Sequence, residues 1–322
     1  MAPRPLRVIN HHNPMQPYRV DYQPQLLEEA VLLAMRSHED EPLFRWERDQ
    51  IYVRFETEER EAAFQQLHLS WFDILRMGEP LQECFETWPL LREATQRCLI
   101  MKARTPKEAG AELYAAAEGF TAGNDAAPTL LIQLTPGLLH QPAALLAFLR
   151  HELLHVVDML DPHFDYTPDF PTSYAGPAYD HLLRGRYAVL WDVIVEGRML
   201  QHGWVPLSAR EKQFSSFKRA FQGSEEKLAE SFAHFFDRNS HTHHELVEFA
   251  QHPEKWLGRE KPESSSRGRC AICHFPTFRL ASASMLAQEV QARIQQDYPA
   301  WNATQLVCQQ CADLYESRVD MA

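Results

Sequence analysis

Apolar positions recur at three- and four-residue steps over residues 25–37, 59–77 and 80–103, so each stretch reads as an amphipathic helix. Residues 51–55 alternate and read as a short strand, and residues 105–119 read as another helix ending at Gly119. Residues 129–134 form an apolar run between Pro128 and Pro136, which predicts a strand. A turn at Pro136-Gly137 leads into a strongly apolar helix over about 142–160, with proline at its start and Asp161-Pro162 to stop it. Residues 161–178 place Pro162, Pro168, Pro171 and Pro177 among Phe164, Tyr166, Phe170 and Tyr174, an irregular aromatic loop of the length that covers or shapes a cleft. Two further helices are predicted over about 179–201 and 225–236. The pattern is that of an α+β chain, mostly helical, with a small sheet. Residues 258–269 have linker composition, and there are no internal repeats.

At 322 residues, 45% hydrophobic, the chain can bury a main core and carry an appendage. The net charge of -12 repels phosphate backbones, so nucleic acid is not the expected partner. Arg210, Lys212, Lys218 and Arg219 make one locally basic stretch, which reads as a solvated helix face. Residues 1–17 lack an apolar run and read as neither signal peptide nor anchor, and no stretch of about 18 apolar residues occurs, so no membrane span is expected. Of six cysteines, four stand in two CxxC pairs, while Cys84 and Cys98 read as ordinary buried thiols. This usage fits a reducing cytoplasm.

The chemistry sits on the apolar helix. His151-Glu152-Leu153-Leu154-His155 places two imidazoles one turn apart on one face, where both can reach one Zn²⁺ at about 2.0–2.1 Å. Glu152, beside the first ligand, is placed to act as general base toward a metal-activated water. Among sixteen histidines the bare motif is only moderately specific. Its surroundings add weight, because polar groups on so apolar a helix need a partner and a metal supplies one. The strand just before the helix also matches an edge strand offered to an extended substrate.

The segment 149–158 resembles the active-site helix of HExxH zincin metallopeptidases, and Asp158 resembles the aspartate of the HExxHxxD pattern in their lethal-factor-like branch. The metzincin extension is absent, since position 161 is Asp161, and a glutamate third ligand, as in gluzincins, is implied. Asp192 and Glu196, four apart in the apolar run 187–200, are the leading pair, with Glu196 as ligand and Asp192 supporting a ligand histidine; pairing with Arg184, Arg186 or Arg198 is the plainer reading. Glu226 and Glu230 resemble the glutamate helix of lethal-factor-like peptidases, but with Asp237 they line one face opposite Leu228, Phe232 and Phe235, which reads as solvent face and core face. His163 is a third candidate. Tyr174, Tyr179, His181 and Arg198 are candidates to stabilise an oxyanion.

Cys270-Ala-Ile-Cys273 and Cys308-Gln-Gln-Cys311, separated by 34 residues that include a helix over about 281–296, predict one tetrahedral Zn²⁺ site and resemble a zinc ribbon or treble clef. So small a module has too little core to fold alone, and the metal is expected to supply its folding energy. Residues 260–322 carry six Lys/Arg against seven Asp/Glu, so stability or a protein partner is expected of it rather than nucleic acid.

The expected organisation is an N-terminal mostly helical region (1–125), a zincin-like catalytic region (126–252), a linker (253–269) and a four-cysteine zinc module (270–322). The expected function is zinc-dependent endopeptidase, with His151, His155 and Glu196 on a catalytic Zn²⁺, Glu152 as base, a second structural Zn²⁺, and a protein or peptide substrate. Two rivals stand beside it. One is a DNA-associated protease resembling the SprT-type proteins, which the acidic charge opposes. The other is a non-catalytic zinc scaffold, which has no use for Glu152.

Overall fold

A computed structural model describes residues 18–114, 127–168, 177–258, 268–277 and 280–319. The chain forms two compact units, one ending at Asp161 and one beginning at Pro162.

The first unit contains β1 (Arg19–Tyr22), α1 (Pro24–Met35), α2 (Glu41–Arg54), α3 (Thr57–Ile74), α4 (Glu79–Thr87), α5 (Leu90–Glu93), β2 (Arg97–Lys102), β3 (Gly110–Tyr114), β4 (Thr129–Leu134), α6 (Pro136–Leu139) and α7 (Pro142–Leu160). The strands form one sheet in the order β1-β2-β4-β3, with β1, β2 and β4 parallel and β3 antiparallel to β4. Alternation puts Cys98 and Ile100 of β2 and Leu130, Ile132 and Leu134 of β4 into the core. There they join Leu26, Leu27, Ala30 and Val31 of α1, Trp71 and Phe72 of α3, and Leu145, Leu149, Leu153 and Val156 of α7. The first unit is therefore α+β, with the HExxH helix laid into the same core as the sheet.

Three expectations are corrected here. Residues 80–103 are not one helix: Trp88-Pro89 interrupts α4, and residues 97–102 become a central strand whose Cys98 and Ile100 are fully buried. Residues 51–54 complete α2 and Phe55 caps it in place of the expected strand, with Ile51 buried and Tyr52 and Val53 exposed, one inward position per turn. Of the helix expected over 105–119, residues 110–114 are instead strand β3, held by five-residue pairing to β4, and residues 115–119 lie outside the described residues. It follows that the strand just before α7 is an inner strand and that, among the described residues, β3 is an outer one, with β1 at the opposite edge.

The second unit contains α8 (Pro177–Gln201), α9 (Ser208–Ala220), α10 (Glu225–Asp237), α11 (His243–Gln251), α12 (Glu254–Leu257), β5 (Gly268–Arg269), β6 (Pro276–Thr277), β7 (Leu280–Ser282), α13 (Gln288–Asp297), β8 (Leu306–Cys308) and α14 (Gln309–Val319). Helices α9, α10 and α11 all pack against α8. At Gly197 an added Cβ would collide with the backbone carbonyl of Phe236, so only glycine lets α8 and α10 meet there. Phe217, Phe221, Phe235 and Phe249 fill the space between these helices at edge-to-face and tilted angles. The basic stretch lies on α9 and is engaged in ion pairs, Arg210 with Asp237 and Lys218 with Glu225 at 3.3 Å. Pairs β5–β6 and β7–β8 and helices α13 and α14 enclose a separate small core around the four cysteines. The aromatic loop is described only in part: Phe164 stacks on Trp191 at 5.5 Å, while residues 169–176, including Phe170 and Tyr174, lie outside the described residues. Among the described residues no helix is long and apolar enough to cross a membrane.

Candidate metal centres

The first candidate centre grows from α7. Pro142 presets φ in the first turn, where its missing N–H costs nothing. Leu145, Leu149 and Leu153, at four-residue steps, anchor one face in the core. That packing fixes the rotation of the helix and presents His151 and His155 on another, half-buried face, one turn apart with ring centroids 5.1 Å from each other. Glu152 Oε1 lies 3.2 Å from His151 Nδ1. The other carboxylate oxygen faces β3, since a Cβ added at Gly110 would stand 3.6 Å from Oε2. The Glu152 carboxylate thus sits beside the first residue of the outer strand. Asp158, one turn beyond His155, is buried at 4% exposure.

Asp192 and Glu196 lie in the second unit on α8, one turn apart and both half-buried, among the fully buried Val193, Ile194 and Val195. Arg186, one of the cations weighed as a partner for them, uses its guanidinium elsewhere. It donates to the carbonyl of Ala250 at 3.4 Å and lies over the rings of Phe275 at 4.9 Å and Phe221 at 5.7 Å. Glu226 and Glu230 are exposed on α10, Glu230 paired with Lys227 at 2.6 Å, while Leu228, Phe232 and Phe235 of the same helix are buried. His163 hydrogen-bonds Ser240 at 2.7 Å on the surface. Of the oxyanion candidates, Tyr179 packs on Phe275 at 6.0 Å and burial raises its phenol pKa, and His181 is exposed.

The second candidate centre is the cysteine module. Cys270, Cys273, Cys308 and Cys311 are all buried, all reduced, and their sulfurs converge within 4.8 Å of one another. Cys273 and Cys308 stand 3.8 Å apart, the edge expected of a tetrahedron with Zn–S bonds of about 2.3 Å. Backbone N–H groups of Ile272 and Cys308 donate to Cys270 Sγ at 3.4 and 3.3 Å, and that of Cys311 donates to Cys308 Sγ at 3.4 Å. Such N–H···S contacts favour the thiolate form of Cys270 and Cys308. By contrast, burial pushes the Cys84 thiol up to about 12, so it is inert packing. The four cysteines form a cluster able to hold zinc.

One group escaped the sequence reading. His234 on α10, His241 in the turn after it and Glu245 on α11 also bring metal-capable atoms within 4.8 Å of one another. His241 and Glu245 share a four-residue step, but nothing in the sequence places His234 beside them.

No protein-family profile, curated protein or solved structure matches this chain.

Proposed function

We propose that the protein is a zinc-dependent endopeptidase whose active centre is built on α7. The observation that carries the reading is the position of Glu152: a carboxylate beside two ligand-spaced histidines, facing the outer, antiparallel strand of the sheet. An extended peptide can add to such an edge by main-chain hydrogen bonds, and its carbonyl would then pass beside the histidine face. His151, His155 and a carboxylate from α8, Glu196 or Asp192, would hold the ion. Zinc, when bound, supplies a Lewis acid that polarises the carbonyl and acidifies water. Glu152 takes the proton from the attacking water and delivers it to the leaving amine, so one carboxylate serves both halves of the reaction. The four-cysteine cluster would hold a second zinc with a purely structural role, because its four thiolates leave no open coordination position.

A mixture of casein and a degenerate peptide library tests this. The zinc-loaded protein is expected to cleave it, a zinc chelator to stop cleavage, and added Zn²⁺ to restore it. No cleavage of any member by fully loaded protein would favour the non-catalytic scaffold.

A further inference from the structure

The second unit carries a group of side chains that the peptidase reading does not use. His234 stands in the last turn of α10, His241 four residues beyond that helix, and Glu245 in the first turn of α11. Glu245 receives both histidines: Oε1 lies 2.7 Å from His234 Nε2 and Oε2 lies 3.0 Å from His241 Nδ1. Thr242 caps α11 by accepting from the N–H of Glu245, which fixes the backbone beneath the carboxylate. Phe235 and Trp256 pack against the two rings and hold their orientation. The His241 side chain is 2% exposed, whereas those of His234 and Glu245 are 26% and 24% exposed, so the group is rigid at one end and open to small ions at the other.

His241 has an unmet requirement. Its Nε2 is buried and has no hydrogen-bond partner among the described residues. If Nδ1 carries the proton and donates to Glu245, Nε2 holds a buried lone pair that nothing accepts. If Nε2 carries the proton, it is a buried donor without an acceptor, and the Nδ1 lone pair faces a carboxylate oxygen. The doubly protonated ring leaves the same Nε2–H unmatched. Each state carries the cost of a buried polar group left unsatisfied, about 1–3 kcal/mol. A cation among the converging atoms would instead take Nδ1 of His241, Nε2 of His234 and an oxygen of Glu245 in place of the two hydrogen bonds, and would fix the ring proton of His241 on Nε2.

We infer that His234, His241 and Glu245 form a further binding site for a divalent ion of the zinc class, separate from both the HExxH helix and the four cysteines. Two imidazoles and a carboxylate suit Zn²⁺ over the harder Mg²⁺ or Ca²⁺, which prefer all-oxygen sets. Arg238 edges the site, with Nη1 3.3 Å from His234 Nε2 and 4.0 Å from Glu245 Oε1, but its side chain is 57% exposed and can turn into water. Metal binding would tie the end of α10 to the start of α11.

The full chain, equilibrated with excess Zn²⁺ and desalted, is assayed for metal content as wild type, His241→Ala, His234→Gln and Glu245→Gln. Each variant is expected to lose one zinc equivalent, and the loss should add to that caused by Cys308→Ser and to that caused by His151→Ala. The added loss over His151→Ala keeps the outcome independent of the peptidase reading. Arg238→Gln should retain the equivalent and bind it more tightly by a few-fold. Circular dichroism identifies any variant that fails to fold, and Glu245→Gln, nearly isosteric, carries the decision if His241→Ala does. Folded His234→Gln and Glu245→Gln with unchanged zinc content would overturn the inference and leave a hydrogen-bonded tie only.

Discussion

Single residues divide here into those that do chemistry and those that hold the chemistry in place. The third ligand is a question at this scale, because Asp192 and Glu196 are equally half-buried on one face of α8. Replacing the ligand with alanine should remove one zinc equivalent and the activity with it. Replacing its neighbour should weaken zinc binding about 10–100-fold. Metal content and zinc titration of Glu196→Ala and Asp192→Ala separate the two roles, and unaffected binding in both would remove α8 from the centre. A different residue sets a pH dependence. His68 is buried on α3 beside Phe44, and burial lowers its pKa below the ordinary value. The unfolded chain therefore takes up this proton more readily than the folded one. The stabilising contribution of the neutral ring is present above the unfolded pKa, about 6.5, and is lost as pH falls through that value toward the lowered one. Thermal midpoints measured from pH 7.5 to 5 should fall less steeply for His68→Phe than for wild type.

Among elements, α7, α8 and strand β4 were legible in the sequence nearly to the residue, and the other strands of the first sheet were not. Continuous apolar helices of this length announce themselves by period, and proline marks their starts. The strands are short, and their partners are remote: β2 pairs with β4 across a gap that contains β3, and β1 pairs with β2 over a separation of more than 70 residues. No local window holds that information, so residues 97–102 and 110–114 passed for helix. The consequence reached the site, because the strand beside Glu152 proved to be β3, not the strand that precedes α7. The helix crossing at Gly197 was equally hidden, since a glycine inside a helix gives no hint of what approaches it. Gly197→Ala forces α8 and α10 apart, because the obstacle is backbone oxygen rather than a side chain able to move. A loss of about 1–3 kcal/mol in denaturant unfolding is expected, as for other overpacked contacts. An unchanged midpoint would mean the helices cross elsewhere.

For the whole molecule, the two CxxC pairs and the HExxH helix were visible as motifs, while His234 became a candidate only when folding brought α10 and α11 together. At this scale the net charge of -12 gives the molecule an average repulsion for phosphate backbones. The module of residues 268–319 has a core of a dozen buried residues, four of them the cysteines themselves. Its folding should depend on metal. Cys308→Ser is expected to lose one zinc equivalent and to open this region to limited proteolysis, with the helices of α8–α11 retaining their circular-dichroism signal. Resistance equal to wild type would show that the module folds without its ion.

The central claim is that Glu152 acts as the base beside a metal held by His151 and His155. Peptide cleavage by wild type and Glu152→Gln, compared at equal zinc content, tests it most directly. Glutamine keeps the shape of the side chain and does not ligate in its place, so metal should stay bound while the rate falls at least about 100-fold. Equal rates at equal zinc content would contradict the account.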